Sequence, residues 1–235
     1  MADGIYVSMC GAAARTEQLD AIADNLANAQ TPGFKASRPG FEAFLAASGA
    51  EDKAYPATVA TGFDLRPGPT ERTGNPLDVL PDEGAFLAVR TPAGIAYTRD
   101  GRLAVDAQRR LVQGGRPVLD PNGRDILVPP GAAPHVGSDG IVHVGRAEVG
   151  QLGLFKLEGA VDRIGPSLLA PGQGGTARAL RSGTVRAGEL ELGNASPLDG
   201  MVQLISAQRQ FDASMQAIQT YRTLDGHGSE IGRIR

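Results

Sequence analysis

The sequence predicts an α+β protein: an N-terminal and a C-terminal helix that pair as a coiled-coil-like layer, with a β-rich central domain of short antiparallel strands. Three observations carry this. Glycine is absent from residues 12–32 and 201–225, while residues 60–195 hold 23 of the 32 glycines. Both glycine-poor ends carry apolar residues at alternating spacings of three and four, the seam of a coiled coil. The middle changes to short apolar segments punctuated by Asp-Gly and Asn-Gly pairs, the mark of tight turns between strands.

The first seam runs through Ile5, Met9, Ala12, Thr16, Leu19, Ala23 and Leu26, widened by Ile22. It stops at Thr31-Pro32-Gly33-Phe34. Proline disfavours helical geometry at the residue before it and donates no backbone hydrogen bond, and glycine accepts a positive φ. Residues 1–34 are therefore a helix and exit turn, placed so that the chain leaves at a set point. Replacing Pro32 and Gly33 by alanine is expected to misdirect the following segment and spare the β-rich body. Residues 35–80, irregular and proline-bearing, read as an extended connector. Residues 81–190 form the β-rich body, with strands over 85–90, 94–99, 102–107, 125–129, 141–145 and 153–158. Asp100-Gly101 is read as a hairpin turn between the second and third of these, and Asn122-Gly123 and Asp139-Gly140 repeat the signal. Residues 191–235 form the C-terminal helix and tail. Ser196-Pro197-Leu198-Asp199 supplies a capping serine, a proline at the first helical position and an acidic third residue. Met201, Leu204, Gln208, Phe211, Met215 and Ile218 then make the second seam, flanked by Leu198, Ile205 and Tyr221, and Gly226 and Gly228 are expected to end it. Each seam is narrow, so each calls for further helical partners.

Composition narrows the function. A formal net charge of −3 implies no general attraction to nucleic acid or anionic lipid. No apolar run is long enough to span a bilayer, so no membrane insertion is expected. Asp3, Arg15, Glu17 and Asp20 interrupt the first twenty residues, which do not read as a cleaved secretory signal. The single cysteine, Cys10, leaves no internal disulfide.

Catalytic chemistry finds little support. His135, His143 and His227 lack metal-ligand spacing, and the glycine-rich 171–178 lacks the ending of a phosphate loop. Ser138 is a turn former, and Asn194-Ala195-Ser196 matches a glycosylation triplet that the capping role of Ser196 explains better. No catalytic residue, cofactor or metal ligand is assigned. The apolar stripes alone leave two readings open: an assembly surface, or an internal helical hairpin within an enzyme.

Three segments break that tie. "NLANAQTPGFKAS" (25–37) resembles the N-terminal signature of the flagellar basal-body rod and hook family, carried by Asn25, Leu26, Asn28, Thr31, Pro32, Gly33, Phe34 and Lys35. Residues 77–112 resemble its central motif, with Tyr97, Thr98, Arg99 and Gly101 in the hairpin. Residues 189–221 resemble its C-terminal signature. The opening and the length look most like the proximal rod subunit next to the distal rod, with a distal rod or hook-type subunit second. Arg109-Arg110 depart from the pattern, standing where a glycine-containing turn is common. The resemblance implies a non-enzymatic structural subunit that is exported unfolded through the flagellar type III apparatus. It implies assembly with copies of itself and other rod subunits into an axial tube across the periplasm, a drive shaft that transmits torque. It implies that the two helices form the inner layer, with Ile5, Met9, Ala12, Leu19, Ile22, Leu26, Met201, Leu204, Ile205, Gln208, Phe211, Met215 and Ile218 at the subunit interface.

Overall fold

The computed structural model describes residues 2–45, 54–82, 84–180 and 183–233. It divides into two units, one of residues 1–27, 37–62 and 196–235, the other of 28–36 and 63–195.

The first unit is built on two helices in contact, α1 (Ala2–Ala27) and α2 (Pro197–Arg233). α2 begins as its first residues dictate: the Ser196 hydroxyl accepts a hydrogen bond from the Asp199 amide (3.3 Å), and the Ser196 carbonyl accepts from Gly200 (2.9 Å). It does not end at Gly226 and Gly228 but runs through both to Arg233. A glycine in a helix costs about 1 kcal/mol relative to alanine, yet it keeps the amide that proline lacks, so it weakens a helix without stopping it. Within the stretch expected as an extended connector, Ser37–Leu45 and Ala54–Phe63 pair as a two-stranded sheet. Asn25, in the last turn of α1, holds the start of that sheet: its amide oxygen accepts from the Ser37 N–H (2.8 Å) and its NH2 donates to the Ser37 carbonyl (2.9 Å).

The second unit centres on a six-stranded antiparallel sheet in the order 161–165, 168–171, 94–98, 85–91, 154–158, 176–179. Two three-stranded sheets (103–105, 111–113, 116–117 and 134–136, 141–144, 147–151) and two strand pairs (79–81 with 185–187, 70–72 with 189–191) surround it. Ala85 to Val89 are buried without alternation because the central strand is covered on both faces. Leu87, Val89, Leu111, Val118, Val142 and Leu154 belong to one cluster, and Phe86, Ala88, Tyr97, Leu119, Leu157 and Leu169 to the other. The scarcity of aromatics is met by an almost wholly aliphatic core, with Tyr97 edge-on to Phe155 at 5.4 Å.

Two sequence expectations are corrected. Residues 125–129 form isolated bridges from Asp125 and Leu127 rather than a strand. Asp100-Gly101 is not a hairpin turn, because 94–98 and 103–105 lie in different sheets. The dipeptide is a crossing. Asp100 is 2% exposed and its carboxylate takes bonds from Gln113 Nε2 (2.7 Å) and Arg102 Nη2 (2.7 Å), while a Cβ on Gly101 would collide with the Val79 carbonyl. The hairpin lies one strand earlier, between Ala85–Thr91 and Gly94–Thr98. Asp139-Gly140 does turn between two paired strands, His135 opposite His143.

Candidate assembly site

Residues 28–36 follow α1 directly and fold into the β-rich unit. Thr31 starts a tight turn, its N–H donating to the Asn28 carbonyl (2.9 Å) and its own carbonyl accepting from Phe34 (3.2 Å). Gly33 is in the left-handed region (φ 69°), and a Cβ there would sit 2.5 Å from the Arg99 carbonyl carbon and 2.8 Å from Asp100 Cα. Only glycine allows both the φ and the approach. The turn is thus built into the body rather than leaving it, so changing Gly33 is expected to disturb the β-rich part rather than spare it. Sequence spacing hid this, since Gly33 and Asp100 share no local pattern.

The two residues after Gly33 are among the most deeply buried of those described. Phe34 is fully buried, with the Arg163 guanidinium 4.4 Å from its ring centre and 4.9 Å from that of Phe63, and Arg163 also donates to the Lys35 carbonyl. The Lys35 ammonium donates to Glu191 Oε1 (2.6 Å) and to the Arg66 carbonyl (2.7 Å). Arg99 reaches the same carboxylate, Nε to Oε2 at 2.6 Å, and its remaining nitrogens donate to the carbonyls of Pro81 (3.0 Å), Asp82 (3.0 Å) and Ala85 (2.6 Å). The Gly68 N–H adds a third donor to the carboxylate.

The side chains of Lys35, Glu191 and Arg99 are 1%, 0% and 2% exposed. A buried charge is tolerated only when paired and hydrogen-bonded. Here two cations share one carboxylate, and the surplus positive charge is spread over four backbone carbonyls. Burial pulls the Lys35 pKa below its ordinary value; Glu191 opposes this and the Arg99 charge adds to it.

Backbone bonds follow the same lines. The Gly33 N–H donates to the Glu191 carbonyl (2.8 Å) and the Asn194 N–H to the Phe34 carbonyl (3.3 Å). The Asn194 side chain accepts from the Ala36 N–H (2.7 Å) and donates to the Asp64 carbonyl (2.7 Å). All three recognised segments therefore meet: Gly33, Phe34 and Lys35 from the first, Arg99 and Asp100 from the second, Glu191 and Asn194 from the third. Glu191, Asn194 and Arg163 escaped the sequence reading as site residues. Glu191 lies 156 residues from Lys35, and no periodicity connects them.

In the helical unit, Ala12 and Ile22 are buried, Leu19 and Leu26 half-buried, and Met9 52% exposed; the side chain of Ile5 lies outside the described residues. On α2, Ile218 is buried, Leu204 and Phe211 are half-buried, and Met201, Ile205, Gln208 and Met215 are exposed. Among the described side chains of α2 the most buried is Ala207, beside the seam rather than on it. Among the described residues no helix is long and apolar enough to cross a membrane, and no group of three or more His, Cys, Asp or Glu could hold a metal.

Three family models match the chain: flagella basal body rod protein over residues 5–35, flagellar hook protein FlgE/F/G D1 domain over 83–144, and flagellar basal body rod FlgEFG protein C-terminal over 186–231. Along its length the chain is 34% identical over 217 residues to the flagellar basal-body rod protein FlgF of Mesorhizobium japonicum, covering 90% of each. The chain belongs to the flagellar basal-body rod protein family. It is 32% identical to FlgF of Salmonella typhimurium, covering 98% of each chain, and 31% identical to FlgG of Bacillus subtilis, covering 94% of this chain and 95% of that one. This rod protein is a structural subunit of the flagellar basal-body rod, FlgF-like and without enzymatic activity. The family implies assembly with other rod proteins. Each of the three matched regions of the rod protein contributes one charged side chain to the buried ion cluster: Lys35, Arg99 and Glu191.

Proposed function

We propose that this rod subunit occupies an FlgF-type, proximal position and polymerises with copies of itself and with neighbouring rod subunits through its two helices, in the periplasm. It passes through the type III export apparatus and transmits torque as part of the axial shaft, with no nucleic-acid or membrane partner. The observation that carries this reading is the apolar strip on the first turns of α2: Leu198 is 73% exposed, Met201 52%, Val202 62% and Ile205 52%. Four large apolar side chains on neighbouring positions of one helix suit a protein partner better than water. The partner is taken to be a helix of a neighbouring subunit, since the narrow seams read from the sequence call for further helices.

The test is thiol labelling of Ile205→Cys in a Cys10→Ser background. In purified monomer the thiol should react readily with a maleimide, and in isolated basal bodies it should be shielded at least about tenfold. Equal labelling in both states would remove this strip from the interface. A distal rod position is the second reading, favoured by the likeness to FlgG. Complementation of strains lacking one or the other subunit separates the two.

A further inference from the structure

We propose that Glu191 is a positioning residue that makes docking of the N-terminal motif conditional on the C-terminal signature: residues 28–36 lock onto the β-rich unit only when residues 189–194 are in place. The inference concerns folding of the single chain and stands apart from the placement in the rod.

The argument starts from charge. Lys35 and Arg99 come from segments far apart in sequence, and each is nearly without solvent contact once docked. Without Glu191 the docked state would hold two cations side by side in a site closed to water. Arg99 would keep three backbone carbonyls but lose the acceptor of its Nε and the partner of its charge. Lys35 alone would keep only the Arg66 carbonyl. The carboxylate is what makes the second cation admissible.

The third segment supplies more than charge. Glu191 ends a strand that pairs with Thr70–Arg72, placing its carbonyl to accept the Gly33 N–H, and Asn194 then closes over Phe34 and Ala36. Charge and backbone bonds are therefore made in one step. A chain delivered N-terminus first, as from a ribosome, holds residues 28–36 unlocked until its last 45 or so residues are available. The segments that lead to both helices, joined to this unit at Asn28 and Ala195, are then fixed together.

Amide hydrogen exchange on the full chain tests this, comparing wild type, Glu191→Gln and Lys35→Met/Glu191→Gln. In Glu191→Gln the protection of Gly33 and Asn194 should fall about 100-fold or more, the size expected when a buried ion pair is broken. Protection of Val89 and Ala96 in the central sheet should be unchanged. The double variant, with one cation removed along with the carboxylate, should recover most of the lost protection. Unchanged protection at Gly33 in the single variant overturns the proposal. So does loss of protection in the central sheet as well, which would make Glu191 a support of the whole unit. Failure of the double variant to recover overturns it too, because charge would then not be the gate.

Discussion

Replacing Gly33 by alanine separates backbone conformation from close packing, with Gly74 as the control. Both glycines have φ near +70° (69° and 72°), but a Cβ on Gly74 meets nothing within 4 Å, whereas on Gly33 it enters the backbone of Arg99 and Asp100. The positive φ alone costs an alanine about 1–2 kcal/mol, and this is the whole expectation for Gly74→Ala. In Gly33→Ala the motif must withdraw by more than an ångström to reach ordinary contact. That breaks the 2.8 Å bond from Gly33 to Glu191 and the bond from Asn194 to Phe34, each worth about 1 kcal/mol. It also stretches the charge-assisted Lys35–Glu191 bond, worth about 1.5–3 kcal/mol, and reopens part of Phe34, whose full burial is worth about 1.5–3 kcal/mol. Gly33→Ala should therefore destabilise the unit by at least about 4 kcal/mol, a large part of the 5–15 kcal/mol typical of a domain. Urea unfolding of the purified chains, followed by circular dichroism, gives both values. If the two variants differ by less than about 1 kcal/mol, the contact between the motif and residues 99–100 does not hold the unit together.

Other substitutions probe other parts. Phe211→Asp, on the half-buried side of α2, should weaken the helix pair by about 1–3 kcal/mol, leave the melting of the β-rich unit unchanged and abolish motility; a motile strain would clear Phe211 of an interface role. Lys35 gives a pH signature. Its folded pKa is lowered by burial, against the pull of Glu191, so between that value and 10.5 the unfolded chain holds the extra proton and stability rises with pH. Burial raises the Tyr97 pKa above 10.0, which works the opposite way, so the readout is the difference from Lys35→Met. In urea midpoints measured from pH 7.5 to 10, the wild type should gain on the variant as pH rises, and a constant or narrowing gap refutes the assignment. Arg109, at φ 64°, holds the carbonyls of Val128 and Pro129. Arg109→Ala keeps the strain and loses those bonds, costing about 1–2 kcal/mol, while Arg109→Gly also releases the strain and should stay within about 0.5 kcal/mol of wild type. Equal thermal shifts for the two would mean that the φ carries no strain.

Much of the architecture was legible because it rests on local rules. The cap at Ser196, the strands over 85–91, 94–98, 103–105, 141–144 and 154–158, and the turn at Asp139-Gly140 each follow from residues a few positions apart, while α1 already ends at Ala27, ahead of Pro32. The errors have the same origin. Asp100-Gly101 has the composition of a hairpin turn, yet Gln113 and Val79, distant in sequence, made it a crossing between sheets. Gly226 and Gly228 have the composition of a helix end, and α2 continued through them.

What the sequence determined by itself is the two terminal helices around a β-rich middle and the three recognised segments, because periodicity and turn chemistry are properties of neighbouring residues. What only the tertiary structure decided is that a lysine, an arginine and a glutamate from those three segments meet. In the sequence Lys35 and Arg99 stand only as members of two separate motifs, and nothing singles out Glu191 in a chain that is one-fifth charged. Folding places all three where water is excluded, and there a lysine and an arginine are stable only around a shared carboxylate. Spacing along a chain carries no record of a contact made across 156 residues, since that contact depends on how the intervening strands are laid side by side.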